Sequence, residues 1–362
     1  MEKHHHELNS PGKIKRELSE VVNIKGISIY CGVLDHQHSF QIAGIHFHDR
    51  SDKIMAILSE ADLAPVGISV YTRLDHFKQC IVALKKNDLS LHTELYIFSD
   101  APRPGDEDAV QDVRAYAKSV EGFKTVSVIE REKNSRIDNN RGGMSYLLQK
   151  YGRLIWLEDD VVTAKGFLTF VNEALKKYQY DDSIMSITGY RPPLLLDVDD
   201  TNSDILLLPR FNAWGFGIWK RSYEKISEIN SEILTKDFQR KVGILGDDLL
   251  HLFQKELLGE LNALDIRATF WQNYYGCNTI YPKFSLTRNL GFDGTGAHCG
   301  TSDKFDVDEL WSKRADFNFT QDVTINKKFE TANFYFRRLT WYAKSKRNIR
   351  YFLRHLLYQN SN

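Results

Sequence analysis

The sequence predicts an α/β protein on a Rossmann-like, mostly parallel sheet, and three observations carry that prediction. Strand-like apolar runs alternate with helix-like stripes from about Pro65 to Ile187, the pattern of strands joined by helical crossovers. Leu154-Ile155-Trp156-Leu157 is continuously apolar, as a strand buried on both faces is. It runs directly into Glu158-Asp159-Asp160, carboxylates at the strand end where open α/β sheets place their ligands.

The elements follow in order. Val66–Tyr71 reads as the first strand, and Leu74 to Lys86 carries Leu74, Phe77, Ile81, Val82 and Leu84 on an approximate helical stripe. Glu94–Phe98 is the second strand, stopped by Ser99-Asp100 and the turn Ala101-Pro102-Arg103-Pro104-Gly105. A helix fits Asp106 to Ser119, and Thr125–Ile129 is rich in β-branched residues. Asn139-Asn140-Arg141-Gly142-Gly143 reads as a turn, one that would present N–H groups and a guanidinium, before a short helix over Met144–Gln149. Leu154–Leu157 is the strand that ends in acid, Phe167–Tyr178 the next helix and Ile184–Ile187 another strand. Beyond Tyr190 the alternation gives way to an irregular, aromatic half that includes Phe211-Asn212-Ala213-Trp214-Gly215-Phe216-Gly217-Ile218-Trp219.

The first sixty residues read as a strand pair, Ile27–Cys31 and Phe40–Ile45, and a helix over Asp52–Ala61. His46-x-His48 has the spacing of a transition-metal pair but equally that of a strand's solvent face, and it is assigned no chemistry. The expected organisation is an N-terminal extension over 1–62, a catalytic-type α/β domain over 63–302 and a C-terminal, helical extension over 303–362.

Composition narrows the function. The chain has 362 residues, 42% hydrophobic, enough for one large domain with appendages. Its formal net charge is zero, so nothing global points to nucleic acid. Four widely separated cysteines without a C-x-x-C argue against a zinc ribbon and for a reducing, cytoplasmic compartment. Met1–Glu20 lacks the apolar core of a signal peptide, and no apolar run approaches a membrane span. From Thr331 to Asn362 there are seven Lys or Arg and no Asp or Glu, interleaved with aromatics. That composition suits either a packed helix with a basic face or an amphipathic segment on an anionic inner membrane leaflet.

Three adjacent carboxylates repel one another, and a hard cation gives a reason to gather them. Mg²⁺ or Mn²⁺ commonly binds through one or two carboxylates plus substrate phosphates. The plainer reading is a strand entering an acidic surface turn. Asp247-Asp248 precedes Leu249-Leu250-His251-Leu252-Phe253, so either aspartate suits a helix N-cap. Trp214, followed by Gly215, is a candidate platform for a sugar ring and equally a core tryptophan.

Six short segments, in order from Val66 to Gly300, resemble the GT-A fold glycosyltransferases, above all the N-acetylglucosaminyltransferase I family and its bacterial relatives. Val70-Tyr71-Thr72-Arg73 is similar to the family's first strand, which ends at the donor, and Phe98-Ser99-Asp100 to its second. Leu157-Glu158-Asp159-Asp160-Val161 with Gly166-Phe167 resembles its E-D-D metal motif. Gly246-Asp247-Asp248-Leu249 resembles the segment with the catalytic base, although the family's tryptophan is Gly246 here. Pro282–Thr287 with Gly291-Phe292-Asp293-Gly294-Thr295-Gly296 is similar to the loop that closes over the donor, and Trp214-Gly215-Phe216-Gly217 to a bacterial W-G-W segment.

The resemblance implies a metal-dependent, inverting transfer from a nucleoside diphosphate sugar, UDP-linked, to a glycan or lipid-linked acceptor in bacterial polysaccharide assembly. It makes Asp160 the Mn²⁺ or Mg²⁺ ligand and Asp247 or Asp248 the base. It sets Thr72, Arg73, Asp100, Glu158, Asp159 and His298 at the donor, and Trp214 at the acceptor. Two other classes stay open. A sugar-phosphate nucleotidyltransferase would show a glycine-rich basic loop where Tyr71-Thr72-Arg73-Leu74 stands, and a noncatalytic sugar-binding module would share the fold without turnover.

Overall fold

The computed structural model describes residues 18–24, 27–34, 39–47, 58–59, 62–194, 203–295, 301–307, 309–320 and 324–339. All of the helix expected over Asp52–Ala61 except Leu58 and Ser59, residue His298 and the chain beyond Leu339 therefore lie outside the described residues. The chain divides into two units, Met1–Asp62 and Leu63–Asn362.

The first unit contains an antiparallel meander of β1 (Leu18–Ile24), β2 (Ile27–Leu34) and β3 (Ser39–Phe47). The expected strand pair is the β2–β3 hairpin, with Ile27 opposite Phe47. Strand β1, which the sequence reading lacked, precedes it.

The second unit is built on one eight-stranded sheet. Four strands form its parallel half: β4 (Val66–Val70), β5 (Glu94–Ser99), β6 (Thr125–Glu130) and β7 (Arg153–Glu158). A two-stranded flap, β8 (Val161–Thr163) with β13 (Thr287–Asn289), stands after β7. The sheet continues with β9 (Ile184–Thr188), β10 (Ile205–Leu208), β11 (Phe216–Trp219) and β12 (Asn278–Pro282). The strand order is β10-β12-β9-β11-β7-β4-β5-β6. Strand β11 runs antiparallel to both β7 and β9, β12 is parallel to β9, and β10 is antiparallel to β12. Six strands thus share one direction, and the chain after β4, β5, β7 and β9 emerges on one edge.

The crossover helices are α1 (Leu74–Lys85), α2 (Glu107–Ser119), α3 (Arg136–Tyr151) and α4 (Phe167–Lys177). Helix α1 buries Phe77, Cys80, Ile81 and Leu84 at i, i+3, i+4 and i+7, whereas Val82, assigned to the stripe from sequence, is exposed. Helix α3 corrects the sequence reading. It spans 16 residues, capped by the Ser135 hydroxyl, which accepts from Asp138 N, and stopped by Gly152 at φ 75°. The segment Asn139–Gly143 is therefore helix, not turn. Its glycine signal reflects packing: a Cβ on Gly143 would sit 2.7 Å from the Trp156 ring and 2.9 Å from Phe98.

The second half is also more regular than expected. Three of its strands complete the sheet, and α5 (Lys236–Gly243), α6 (Leu249–Leu257) and α7 (Leu264–Tyr275) pack beside them. Val242, Leu249, Phe253, Phe270 and Tyr281 form a buried core with Leu206, Leu208 and Phe329, the last from α8 (Lys327–Phe336). Helix α7 buries every residue from Ile266 to Asn273. A helix enclosed on all sides has no polar stripe to betray it. Among the described residues, no helix is long and apolar enough to cross a membrane.

Gly143→Ala tests this packing. Helix propensity alone favours alanine by about 1 kcal/mol, whereas overpacking against Trp156 costs about 1–3 kcal/mol. Chemical denaturation should show net destabilisation, and a stabilised variant would contradict the close approach.

Candidate active site

The shared edge of the parallel strands collects the acidic residues. Asp159 and Asp160 lie in the turn between β7 and β8 and are each about 5% exposed, while Glu158 at the end of β7 is half-buried. Arg73, in the non-helical junction between β4 and α1, reaches across to them. Its Nη2 contacts Asp159 Oδ1 and lies 2.8 Å from Asp160 Oδ2, and its Nε donates to Asp159 Oδ2 at 3.3 Å. Thr72 precedes it in the same junction, its carbonyl accepting from Leu74 N.

Burial dominates the electrostatics here. It pushes the Glu158 carboxyl up to about 8, helped by Asp160 and Asp159 and opposed by Arg136. It raises Asp159 to about 6, against the pull of Arg73. Burial works against the charge on Arg73, but Asp159 and then Asp160 outweigh it and its pKa is raised.

The β8–β13 flap seats the glycine-dense loop on Asp160. Leu290 N donates to the Asp160 carbonyl at 2.8 Å, and Asn289 Nδ2 lies 3.5 Å from Asp160 Oδ1. A Cβ on Gly291 would collide with Asp160 Oδ2, so only glycine fits beside that oxygen. Further along the loop, Asp293 Oδ2 lies 3.1 Å from His76 Nε2 on α1.

Asp100, 3% exposed, uses both carboxylate oxygens internally. Oδ1 accepts from Ala101 N at 2.9 Å and from Ser135 N at 3.0 Å, and Oδ2 accepts from Asn134 Nδ2 at 3.2 Å. These bonds tie the end of β5 to the start of α3.

Trp214 is half-buried and held by its own backbone: its N–H donates to Asn212 Oδ1 at 2.9 Å and its carbonyl accepts from Thr287 Oγ1 at 2.7 Å. Its ring meets Tyr190, Phe292 and Phe305 edge-on, with centroids 4.5, 5.3 and 5.7 Å away. Phe292 follows Gly291 and so joins this cluster to Asp160. On the other side, the Arg337 guanidinium lies 5.8 Å from the Phe305 ring and 3.6 Å from Asp248.

The two candidate bases have different surroundings. Asp248 is gripped by Arg210, whose Nη1 and Nη2 donate to its two oxygens at 3.0 and 2.6 Å. Burial alone would raise its pKa, but Arg210 and then Arg337 hold it down at about 2. The Asp247 carboxylate accepts from Leu339 N at 3.0 Å. Asp248 stands at the N-cap position of α6 without a side-chain capping bond, because its oxygens go to the arginines. Gly246 adopts φ 144°, and a Cβ there would lie 2.6 Å from Asp248 Oδ1 and 2.8 Å from Arg337 Cβ. The tryptophan expected at this place by family resemblance has no room.

Arg210, Arg337 and Asp265 were not singled out by sequence reasoning. Asp265, in the first turn of α7, has its pKa raised by burial against Arg210 and influences Glu158. These residues come from separate elements, and no local spacing marks them.

Among the described residues, no three His, Cys, Asp or Glu side chains converge as a metal-holding group. Two adjacent carboxylates after β7 match the one or two protein oxygens by which a hard cation is commonly held when a ligand's phosphates complete its shell.

No protein-family model and no curated protein matches the chain. Among solved structures it is similar to the mannosyltransferase PcManGT from Pyrobaculum calidifontis in complex with GDP-Man and Mn²⁺, at 12% identity and a TM-score of 0.31, over 49% of this chain and 53% of that one. It is similar to GalNAc-T7 with UDP, GalNAc and Mn²⁺, at 9% identity and 0.39, over 61% and 43%. It is also similar to S. aureus TarS, at 12% identity and 0.34, over 61% and 36%. The chain spans about half or less of the length of these structures.

The Asp248 pairing predicts an acid-stability signature. Its folded pKa of about 2 lies below the ordinary aspartate value of 3.8. The pairing therefore stabilises the fold fully above about pH 4, and this contribution fades as pH falls towards 2. Asp248→Asn should be less stable than wild type at neutral pH, with the gap closing between pH 4 and 2. A pH-independent gap in urea midpoints would contradict it.

Proposed function

We propose that this chain is a metal-dependent glycosyltransferase that moves a sugar from a nucleoside diphosphate donor, UDP-linked by the resemblance of its motifs, to a glycan or lipid-linked acceptor. The observation that carries the reading is the arrangement around Asp160. A buried carboxylate at the end of a parallel strand packs against a glycine and shares the Arg73 guanidinium with Asp159, and an aromatic cluster links it to a second aspartate pair.

In this reading Asp160 holds Mg²⁺ or Mn²⁺, with Asp159 and Glu158 positioning beside it. A cation there would neutralise the negative charge that grows on the departing diphosphate. Arg73 meets a phosphate oxygen in this reading, a group that guanidinium binds well. Thr72 lines the same edge. Asp100 serves the donor through the loop that it braces between β5 and α3. His298 keeps its proposed phosphate contact from the sequence reading alone.

The environments of the two aspartates favour Asp247 as the base. Asp248 is locked between two arginines with a depressed pKa, which makes it a poor proton acceptor. Its better role is to hold Arg210 and Arg337 beside the acceptor. One base opposite the leaving group means direct displacement with inversion. Trp214, with Phe292 and Phe305, offers the apolar surface that a sugar's C–H face prefers.

The bacterial polysaccharide setting and the division at 62 and 302 belong to the same proposal. So does contact of the basic C-terminal segment with an anionic leaflet, although residues 340–362 lie outside the described part of the chain.

Thermal shift with UDP, with and without Mn²⁺, tests the donor site. Wild type should be stabilised by the pair, and Asp160→Ala should lose the Mn²⁺-dependent part while staying folded. An unchanged shift in Asp160→Ala would overturn its assignment.

Transfer separates catalysis from binding. Asp247→Asn should retain UDP-sugar affinity and lose about 10²–10⁴-fold in turnover, the usual contribution of a general base. If Asp247→Asn turns over normally, the base assignment fails. Donor binding by wild type without any acceptor-dependent UDP release would identify a noncatalytic module.

A further inference from the structure

Arg73 is a single guanidinium shared by two carboxylates. Its Nη2 and Nε engage both oxygens of Asp159, and Nη2 also reaches Asp160 Oδ2 at 2.8 Å. Its Nη1 is buried and makes no hydrogen bond among the described residues. The side chain as a whole is 22% exposed, so part of it can meet a ligand from solvent. The Asp160 oxygen that it touches is the one beside Gly291. The other, Oδ1, has among the described residues only the long contact to Asn289.

We infer that Arg73 is an exchangeable counter-ion, which neutralises Asp159 and Asp160 in the free protein and passes to the donor's diphosphate when Asp160 engages a divalent cation. This rests on the reading of Asp160 as a cation ligand and adds a coupling that the reading does not contain. A guanidinium and a divalent cation repel each other strongly at one carboxylate. Binding of the cation alone must therefore push Arg73 away and leave a half-buried charge without its anion. A diphosphate supplies a new one, with the planar, two-point geometry that arginine accepts. Each ligand then strengthens the other, and by linkage the effect is reciprocal. Nη1, which has no partner in the carboxylate-bound arrangement, gives Arg73 spare donor capacity for that second anion.

The test measures Mn²⁺ binding by electron paramagnetic resonance, with and without saturating UDP, in wild type, Arg73→Gln and Arg73→Lys. In wild type, UDP should tighten Mn²⁺ binding by a factor within or above the roughly 5–150-fold range typical of coupled sites. Arg73→Gln should bind Mn²⁺ alone more tightly than wild type, because both carboxylates lose their resident cation. Its UDP-dependent tightening should shrink several-fold, leaving only direct ligation by the phosphates. Arg73→Lys keeps the charge that balances the acidic pair but loses the planar fork, and its coupling should fall between the two. Mn²⁺ affinity in Arg73→Gln no tighter than wild type, or coupling at the wild-type value in both variants, would overturn the exchange. If wild type itself binds no Mn²⁺ even with UDP, the assignment of Asp160 is wrong, and the exchange falls with it.

Discussion

Adjacent buried carboxylates are costly unless a cation or hydrogen-bond donors stand beside them, and the architecture around Asp159 and Asp160 answers that constraint. Strand β7 delivers both acids into the interior edge of the sheet. Arg73 arrives from the neighbouring parallel strand, which the β4–β7 pairing of Ser69 with Glu158 places within reach. The β8–β13 flap supplies Leu290 N–H and Asn289 from the other side. The adjacency of β4 and β7, the junction before α1 and the β8–β13 flap together bring compensating groups to one pair of carboxylates.

A second charged network lies on the far side of the aromatic cluster and is balanced in a different way. Asp248 draws Arg210 and Arg337 together, and Arg337 is so deeply buried that its own pKa falls to about 10. Asp265 interacts electrostatically both with Arg210 and Arg337 and, weakly, with Glu158, so the two networks feel each other. Trp214, Phe292 and Phe305 occupy the apolar gap between them. An aromatic surface flanked by one acidic and one mixed charged group is a suitable seat for a neutral ring with polar edges.

The proposed chemistry uses this separation. A leaving diphosphate carries growing negative charge and belongs beside Arg73 and Asp160. An attacking hydroxyl needs a carboxylate to take its proton, and the two arginines on Asp248 leave that task, in the proposed reading, to Asp247. The proposal thus gives neighbouring aspartates different tasks: Asp248 fixes two arginines, while Asp247 takes the proton.

The sequence by itself determined the α/β class and most of the parallel half. Val66–Val70, Glu94–Ser99, Thr125–Glu130 and Arg153–Glu158 are short apolar runs whose identity depends on local composition, and the helical stripe of α1 is equally local. The acidic triplet was legible too, because carboxylates after a buried strand are conspicuous wherever they occur. Helix α3 was misread because Gly142 and Gly143 signal a turn locally, whereas Gly143 is required by the approach of Trp156 and Phe98 from the sheet. Strands β10 to β12 and helix α7 were hidden because elements enclosed on every face lose the polar periodicity by which sequence reveals them. The contacts of Arg73 with Asp159, of Gly291 with Asp160 and of Arg210 with Asp248 join residues 86, 131 and 38 positions apart. Only the tertiary structure decides such pairings, because the energy of a charge depends on what the fold places beside it and not on its neighbours along the chain.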